Sequence, residues 1–262
     1  MECPICGELF CDEHFDEWWN PEKFNWKDCS EELPKHCSHH FRKWWDSARF
    51  NWERSSWALA EYCSRYFRAW WDSDKFNWDD YSGILAQKCT EYFLEWWNPN
   101  KFSWASSSWA LAEHCSQYFD IWWDPDKYNW SMSYFLVRFC REHFFKWWDP
   151  DRFDWLESSW ALAEDCSEYF MVWWDPDRYN WFDASDHLAL ACSEYFDVWW
   201  DPDAFNWESS SWALARYCKE HFHKWWNPLR FNKDHISFLE WHCPEYRDIW
   251  EKDLKLLRLL RS

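Results

Sequence analysis

The chain opens MECPICGELFCDEH, and this stretch holds three cysteines and a histidine whose spacing suits metal binding. Thiolate and imidazole are the usual donors of tetrahedral zinc. Cys3 and Cys6 form a Cys-x-x-Cys pair followed by Gly7, one of only two glycines in the protein. A tight metal knuckle favours glycine there, because the backbone must turn its amides towards the thiolates. Cys11 and His14, three residues apart on an expected helix, complete a set of four donors. One structural zinc, rather than an iron–sulfur cluster, is the expected occupant, and its role would be to close the open first repeat. Cys29, the counterpart of Cys3 one repeat later, is a rival ligand, and Cys11 also belongs to a column of core cysteines.

The same string resembles one half of a treble-clef or AN1-like zinc module, over about a dozen residues. No other group of residues suggests chemistry as directly. The Asp-Pro-Asp steps lack the alternating oxygen ligands, central glycine and closing glutamate of a calcium loop, and capping explains them better. The eleven histidines are scattered over different positions, and there is no glycine-rich phosphate loop and no G-x-S-x-G. We therefore expect no enzyme.

These donors sit in a chain dominated by repetition. Paired tryptophans begin at Trp18, Trp44, Trp70, Trp96, Trp122, Trp147, Trp173, Trp199 and Trp225, always 26 residues apart except for one step of 25. A cysteine precedes each pair by seven residues, from Cys11 to Cys218, and Cys243 with Trp250 opens a tenth, degraded copy. Within Glu53–Trp78, the residues Leu59, Cys63, Phe67, Trp70 and Trp71 form one apolar helical stripe. The serine column Ser30, Ser56, Ser82, Ser108, Ser133, Ser159, Ser185 and Ser211 predicts helix N-caps. Long helices are expected near residues 56–71, 108–123, 159–174 and 211–226, with a short second helix opening at steps such as Asp124-Pro125.

Neither helix can bury its aromatic side unaided, so the units must stack. The fold class expected is all-α: a single-domain α-solenoid of ten repeats, each one long helix plus one short α or 3-10 helix. Residues 1–26 form the N-terminal capping repeat, 27–233 the regular repeats, and 234–262 a degraded repeat with an amphipathic C-terminal capping helix. Ten helices spaced about 8–10 Å apart predict a rod or arc of roughly 80–100 Å. Period and helix lengths resemble the leucine-rich-variant type of α/3-10 solenoid, a likeness that implies architecture and no function.

A column of one thiol per repeat offers one ligand per turn, too few for a metal, and neighbouring repeats lie too far apart for disulfides. The cysteines therefore read as buried core, as do the phenylalanines and both tryptophans of each pair. What varies lies just before each tryptophan pair. Leu94, Ile121, Phe145, Met171, Val172 and Val198 are expected to face solvent and to bind a protein partner.

A net charge of −19 disfavours direct contact with nucleic acid, and no run of about 20 apolar residues suggests a membrane span. Thirteen cysteines without a recognisable secretion signal suggest reduced thiols and a cytoplasmic location. The leading expectation is a non-enzymatic, tryptophan-rich scaffold for protein–protein interaction. The alternatives are a metal- or thiol-handling protein and an acidic decoy that occupies a nucleic-acid-binding protein.

Overall fold

The computed structural model describes residues 1–260, of which 67% are helical. The one β feature among the described residues is an isolated bridge between Glu2 and Leu9. Long and short helices alternate as expected of a solenoid, and within each of two units consecutive long helices pack side by side. The residues fall into two compact units, one spanning Met1–Asn129 and one starting at Trp130.

The helices start and stop where local chemistry requires, although not where the serines suggested. In the third repeat the long helix spans Trp52–Cys63, and its N-cap is Asn51, whose side chain accepts the Arg54 amide. Asn25, Asn77, Asp154, Asn180 and Asn206 cap their helices in the same way. Asparagine and aspartate are among the best capping residues because their short oxygens reach the free amides of the first turn.

The serine column is therefore corrected from caps to connectors. Ser56 is fully buried inside its helix. Its hydroxyl accepts the Asn77 amide of the next repeat at 3.2 Å, and the equivalent Ser82, Ser159 and Ser185 also donate to the carbonyls of Trp78, Trp155 and Trp181. Asn77 Nδ2 in turn donates to the Glu53 carbonyl at 2.8 Å. The same hydroxyl-to-amide link joins Ser30 to Asn51, Ser82 to Ser103, Ser159 to Asn180, Ser185 to Asn206 and Ser211 to Asn232. Each helix start thus hangs from the preceding helix, and a buried hydroxyl finds both a donor and an acceptor.

The predicted helix at 56–71 is also divided. It ends at Cys63, passes through a 3-10 turn at Ser64–Tyr66, and resumes as one α-turn at Phe67–Trp70. Cys63 takes φ −121° and ψ 23°, which swings its carbonyl out of the helical ladder. That carbonyl accepts the indole N–H of Trp70 at 2.9 Å. All ten repeats make this bond, from Trp18 on Cys11 to Trp250 on Cys243. The seven-residue spacing of cysteine and tryptophan is therefore a hydrogen-bond length, as a buried carbonyl needs a partner.

The second helix expected after each proline is a turn instead. Asp72 accepts the amides of Lys75 and Phe76 through its carbonyl and that of Asp74 through its carboxylate. Only five residues separate Trp71 from Asn77, too few to offset the cost of starting a helix. The short helix of each unit therefore precedes the second tryptophan rather than following the proline.

Repeats are held laterally by rings. Phe67 stacks on its own Trp71 at 5.1 Å and under Tyr92 of the next repeat at 4.7 Å and 7°. Histidine substitutes for tyrosine in this place, as His221 over Phe196 at 4.3 Å and His40 over Phe15 at 4.5 Å. A flat ring is what the position requires. At the C-terminus the expected amphipathic helix spans Arg247–Leu260 and buries Trp250 and Leu254.

Candidate metal centre

The N-terminal loop folds back on itself before any helix begins. Cys3 N–H donates to the Glu8 carbonyl at 2.8 Å, and Gly7 N–H donates to the Cys3 carbonyl at 2.9 Å. Gly7 has φ +76°, a left-handed turn that glycine adopts without strain. Phe10 is also left-handed, at φ 52°, and its ring is fixed against Trp18 at 5.9 Å.

This turn brings together the four donors named from the sequence. The ligand atoms of Cys3, Cys6, Cys11 and His14 all lie within 4.8 Å of one another, so the cluster could hold one metal ion. Donors around tetrahedral zinc, with Zn–S near 2.3 Å, stand under about 4 Å apart, so shifts of less than about 1 Å would close the set. Cys11 Sγ already lies 3.4 Å from His14 Nδ1. Cys11 and His14 come from the turn before Phe15–Trp18, not from a helix as expected. Cys29 is not part of the cluster.

The backbone prepares the sulfurs for charge. Burial raises the Cys3 thiol, but the amides of Cys6 and Ile5 and the thiols of Cys6 and Cys11 outweigh it and hold Cys3 below the usual range. The Glu8 amide favours the Cys6 thiolate. Burial and the adjacent Cys11 and Cys3 sulfurs outweigh that amide and push Cys6 up to about 11. Crowded thiols that cannot all ionise together are what a cation would relieve, since metal binding replaces the protons.

The cluster is tied to the second repeat. Cys37 Sγ approaches the Phe10 carbonyl at 3.4 Å, His40 Nε2 lies 3.0 Å from the Asp12 carbonyl, and Lys43 pairs with Asp16 at 2.6 Å. Among the described residues no second group of donors gathers in this way. The Cys-x-x-His strings at Cys37/His40 and Cys218/His221 instead give their imidazoles to the aromatic stacks.

The column thiols are buried and form no disulfides, as expected. Several point across to a carbonyl of the preceding repeat, for example Cys115 to Ala86 at 3.7 Å, Cys192 to Ala163 at 3.6 Å and Cys218 to Ala189 at 3.7 Å. Burial pushes Cys37, Cys63, Cys89, Cys115, Cys140, Cys166, Cys192, Cys218 and Cys243 up to about 12. Such thiols are unreactive at neutral pH.

The six apolar residues proposed to meet a partner are all exposed, between 50% for Val172 and 72% for Phe145. They form couples that the sequence reading missed. The first position in one repeat meets the second in the next, 27 residues later, as in Arg68–Glu95 at 2.7 Å and Lys43–Asp16 at 2.6 Å. Lys224 and Asp197 pair likewise. Leu94 and Ile121, Phe145 and Val172, and Met171 and Val198 occupy the same two positions. The signal was readable: opposite charge or shared apolarity at a separation of 27.

A second ladder of charges runs through the turns. Arg49 reaches Glu22 at 2.7 Å, Lys101 reaches Asp74 at 2.6 Å, and Arg230 reaches Asp203 at 2.6 Å. Much of the basic charge is thereby committed within the fold. No helix among the described residues is long and apolar enough to cross a membrane. The chain matches no protein-family model, and neither a curated protein nor a solved structure matches it significantly.

Proposed function

We propose that the protein is a non-enzymatic repeat scaffold that binds a protein partner through its exposed apolar couples, in the cytoplasm. One observation carries this reading. Helices whose other apolar residues are fully buried leave Leu94, Ile121, Phe145, Met171, Val172 and Val198 at least half exposed. In the second unit two successive couples are apolar and an ion pair, Asp197–Lys224, follows them. An apolar centre with a charged rim is the usual composition of a protein-binding patch. Unpaired cysteines throughout the chain suit a reducing compartment. The test is to replace Phe145 and Met171 together by aspartate and compare what the two proteins capture from the native source. Loss of a specific partner at unchanged helicity supports the reading, and an unchanged partner set refutes it.

The Cys3, Cys6, Cys11 and His14 cluster is assigned to one structural zinc that closes the first repeat. Donor softness and the four-fold set favour zinc. Purified protein should carry about one zinc per chain, lost in Cys3→Ser and retained in Cys140→Ser. Chelation should raise hydrogen exchange in the first two repeats only. Metal-free protein with a protected first helix refutes the assignment, and several ions per chain point to metal handling instead.

A further inference from the structure

A second periodicity overlies the first. The string Ser-Ser-Trp-Ala-Leu-Ala stands at residues 55–60, 107–112, 158–163 and 210–215, in every other repeat. The intervening copies place Gly83-Ile84, Tyr134-Phe135, Asp186-His187 and Ser237-Phe238 where Trp-Ala would stand. In the second unit these residues supply a ring to each tryptophan. Tyr134 and His187 lie against Trp160 at 5.2 and 5.5 Å, and Phe238 lies against Trp212 at 5.5 Å. His187 is held there by Glu164 at 2.8 Å.

In the first unit, residues 83 and 84 offer no ring to Trp57. Ile84 replaces His187, Gly83 replaces Asp186, and an open cleft of about 410 Å³ lies between Trp57 and Trp109. Tyr81, Ile84, Asp80 and Gln87 also line it. Gly83 is helical, so no unusual backbone angle calls for it, and glycine there costs about 1 kcal/mol relative to alanine. Crowding does not call for it either. A Cβ at Gly83 would lie 3.3 Å from Ser107 Oγ, yet tyrosine and aspartate stand at the same place beside Ser158 and Ser210.

The cleft also keeps a donor in reserve. The indole N–H groups of Trp109 and Trp160 donate to the carbonyls of Ser106 and Glu157, three residues earlier. The matching carbonyl for Trp57, that of Arg54, accepts the Tyr81 hydroxyl at 3.3 Å instead. Trp57 N–H is left with no partner among the described residues.

We propose that this cleft receives an arginine or lysine side chain of a partner peptide, which lies on the indoles as His187 lies on Trp160. Cations are drawn to the faces of tryptophan and tyrosine. Asp80 is exposed and lines the cleft, and the chain carries a net charge of −19, so the field favours a positive occupant. The free Trp57 N–H would donate to a carbonyl of the same peptide. None of the lining residues belongs to the apolar couples, so this site stands or falls separately from them.

The probe is an acetylated, amidated Gly-Arg-Gly tripeptide, followed by the indole ¹⁵N–¹H resonance of Trp57, which is assigned with Trp57→Phe. The citrulline analogue, which removes the charge and keeps the shape, should bind about tenfold more weakly. Gly83→Tyr, the residue found at position 134, should fill the cleft and abolish the shift, and Asp80→Asn should weaken binding about three- to tenfold. Trp109→Ala, read on the same Trp57 resonance, should weaken binding and provides a second test if Gly83→Tyr loses helicity. Absence of a saturable shift, equal binding of the citrulline peptide, or full binding to a folded Gly83→Tyr overturns the proposal. Tighter binding of the neutral sugar cellotetraose than of the arginine peptide overturns it too.

Discussion

Raising the pH should dissolve this fold through its cysteine column well before the lysines or arginines lose charge. Nine column thiols are less than about 2% exposed, and burial pushes each up to about 12. In the unfolded chain a thiol ionises near 8.5. The folded value lies above the unfolded one, so the stabilising contribution is complete below about pH 8.5 and is lost as pH rises towards 12. At pH 10 the unfolded state gains about 2 kcal/mol per thiol. Each repeat from the second to the tenth carries one such thiol, so each of these should lose about that much stability relative to neutral pH. Global unfolding should lose several times more. The assay is guanidinium denaturation followed by circular dichroism from pH 7.5 to 10, with thiolate absorbance at about 240 nm recorded on the folded protein. Cys115→Ala should be less stable at pH 7.5 but should lose stability less steeply above pH 8.5. Column thiols that titrate near 9 in the folded protein, or a stability that is flat from pH 8 to 10, would refute the reasoning.

Two further substitutions test how repeats are joined. Ser56→Ala should cost about 1–3 kcal/mol, because it strands the part-buried Asn77 amide, and exchange at Asn77 should rise although that residue lies in the next repeat. A change confined to the start of helix Trp52–Cys63 would restore serine as a local cap. Phe119→Ala should cost about 3–5 kcal/mol, because the ring is 1% exposed and packs on Trp122 and Trp123 at 5.0 and 5.1 Å. A loss under about 1 kcal/mol would show that this column does not form the core.

The sequence by itself determined whatever depends on period and polarity. Twenty-six-residue spacing, one apolar stripe per repeat and the near absence of glycine require stacked helices, because no repeat can bury its aromatic side without a neighbour. The four N-terminal donors were legible for a similar reason: Cys-x-x-Cys-Gly encodes its turn within five residues, and the rest of the set lies close along the chain. What only the tertiary structure decided are side-chain contacts that close over the local chain, most of them between repeats. Ser56 has the composition of a cap, and only the arrival of Asn77 turns its buried hydroxyl into a connector. Cys63 looks like the middle of a helix, and only the indole of Trp70 makes it favourable to turn the carbonyl aside and end the helix there. The Leu94–Ile121 couple and the open cleft beside Trp57 likewise depend on which residue the next repeat brings alongside. Local propensity speaks for neighbours in the chain, whereas within each unit a repeat completes the hydrogen bonds and ring stacks of the one before it.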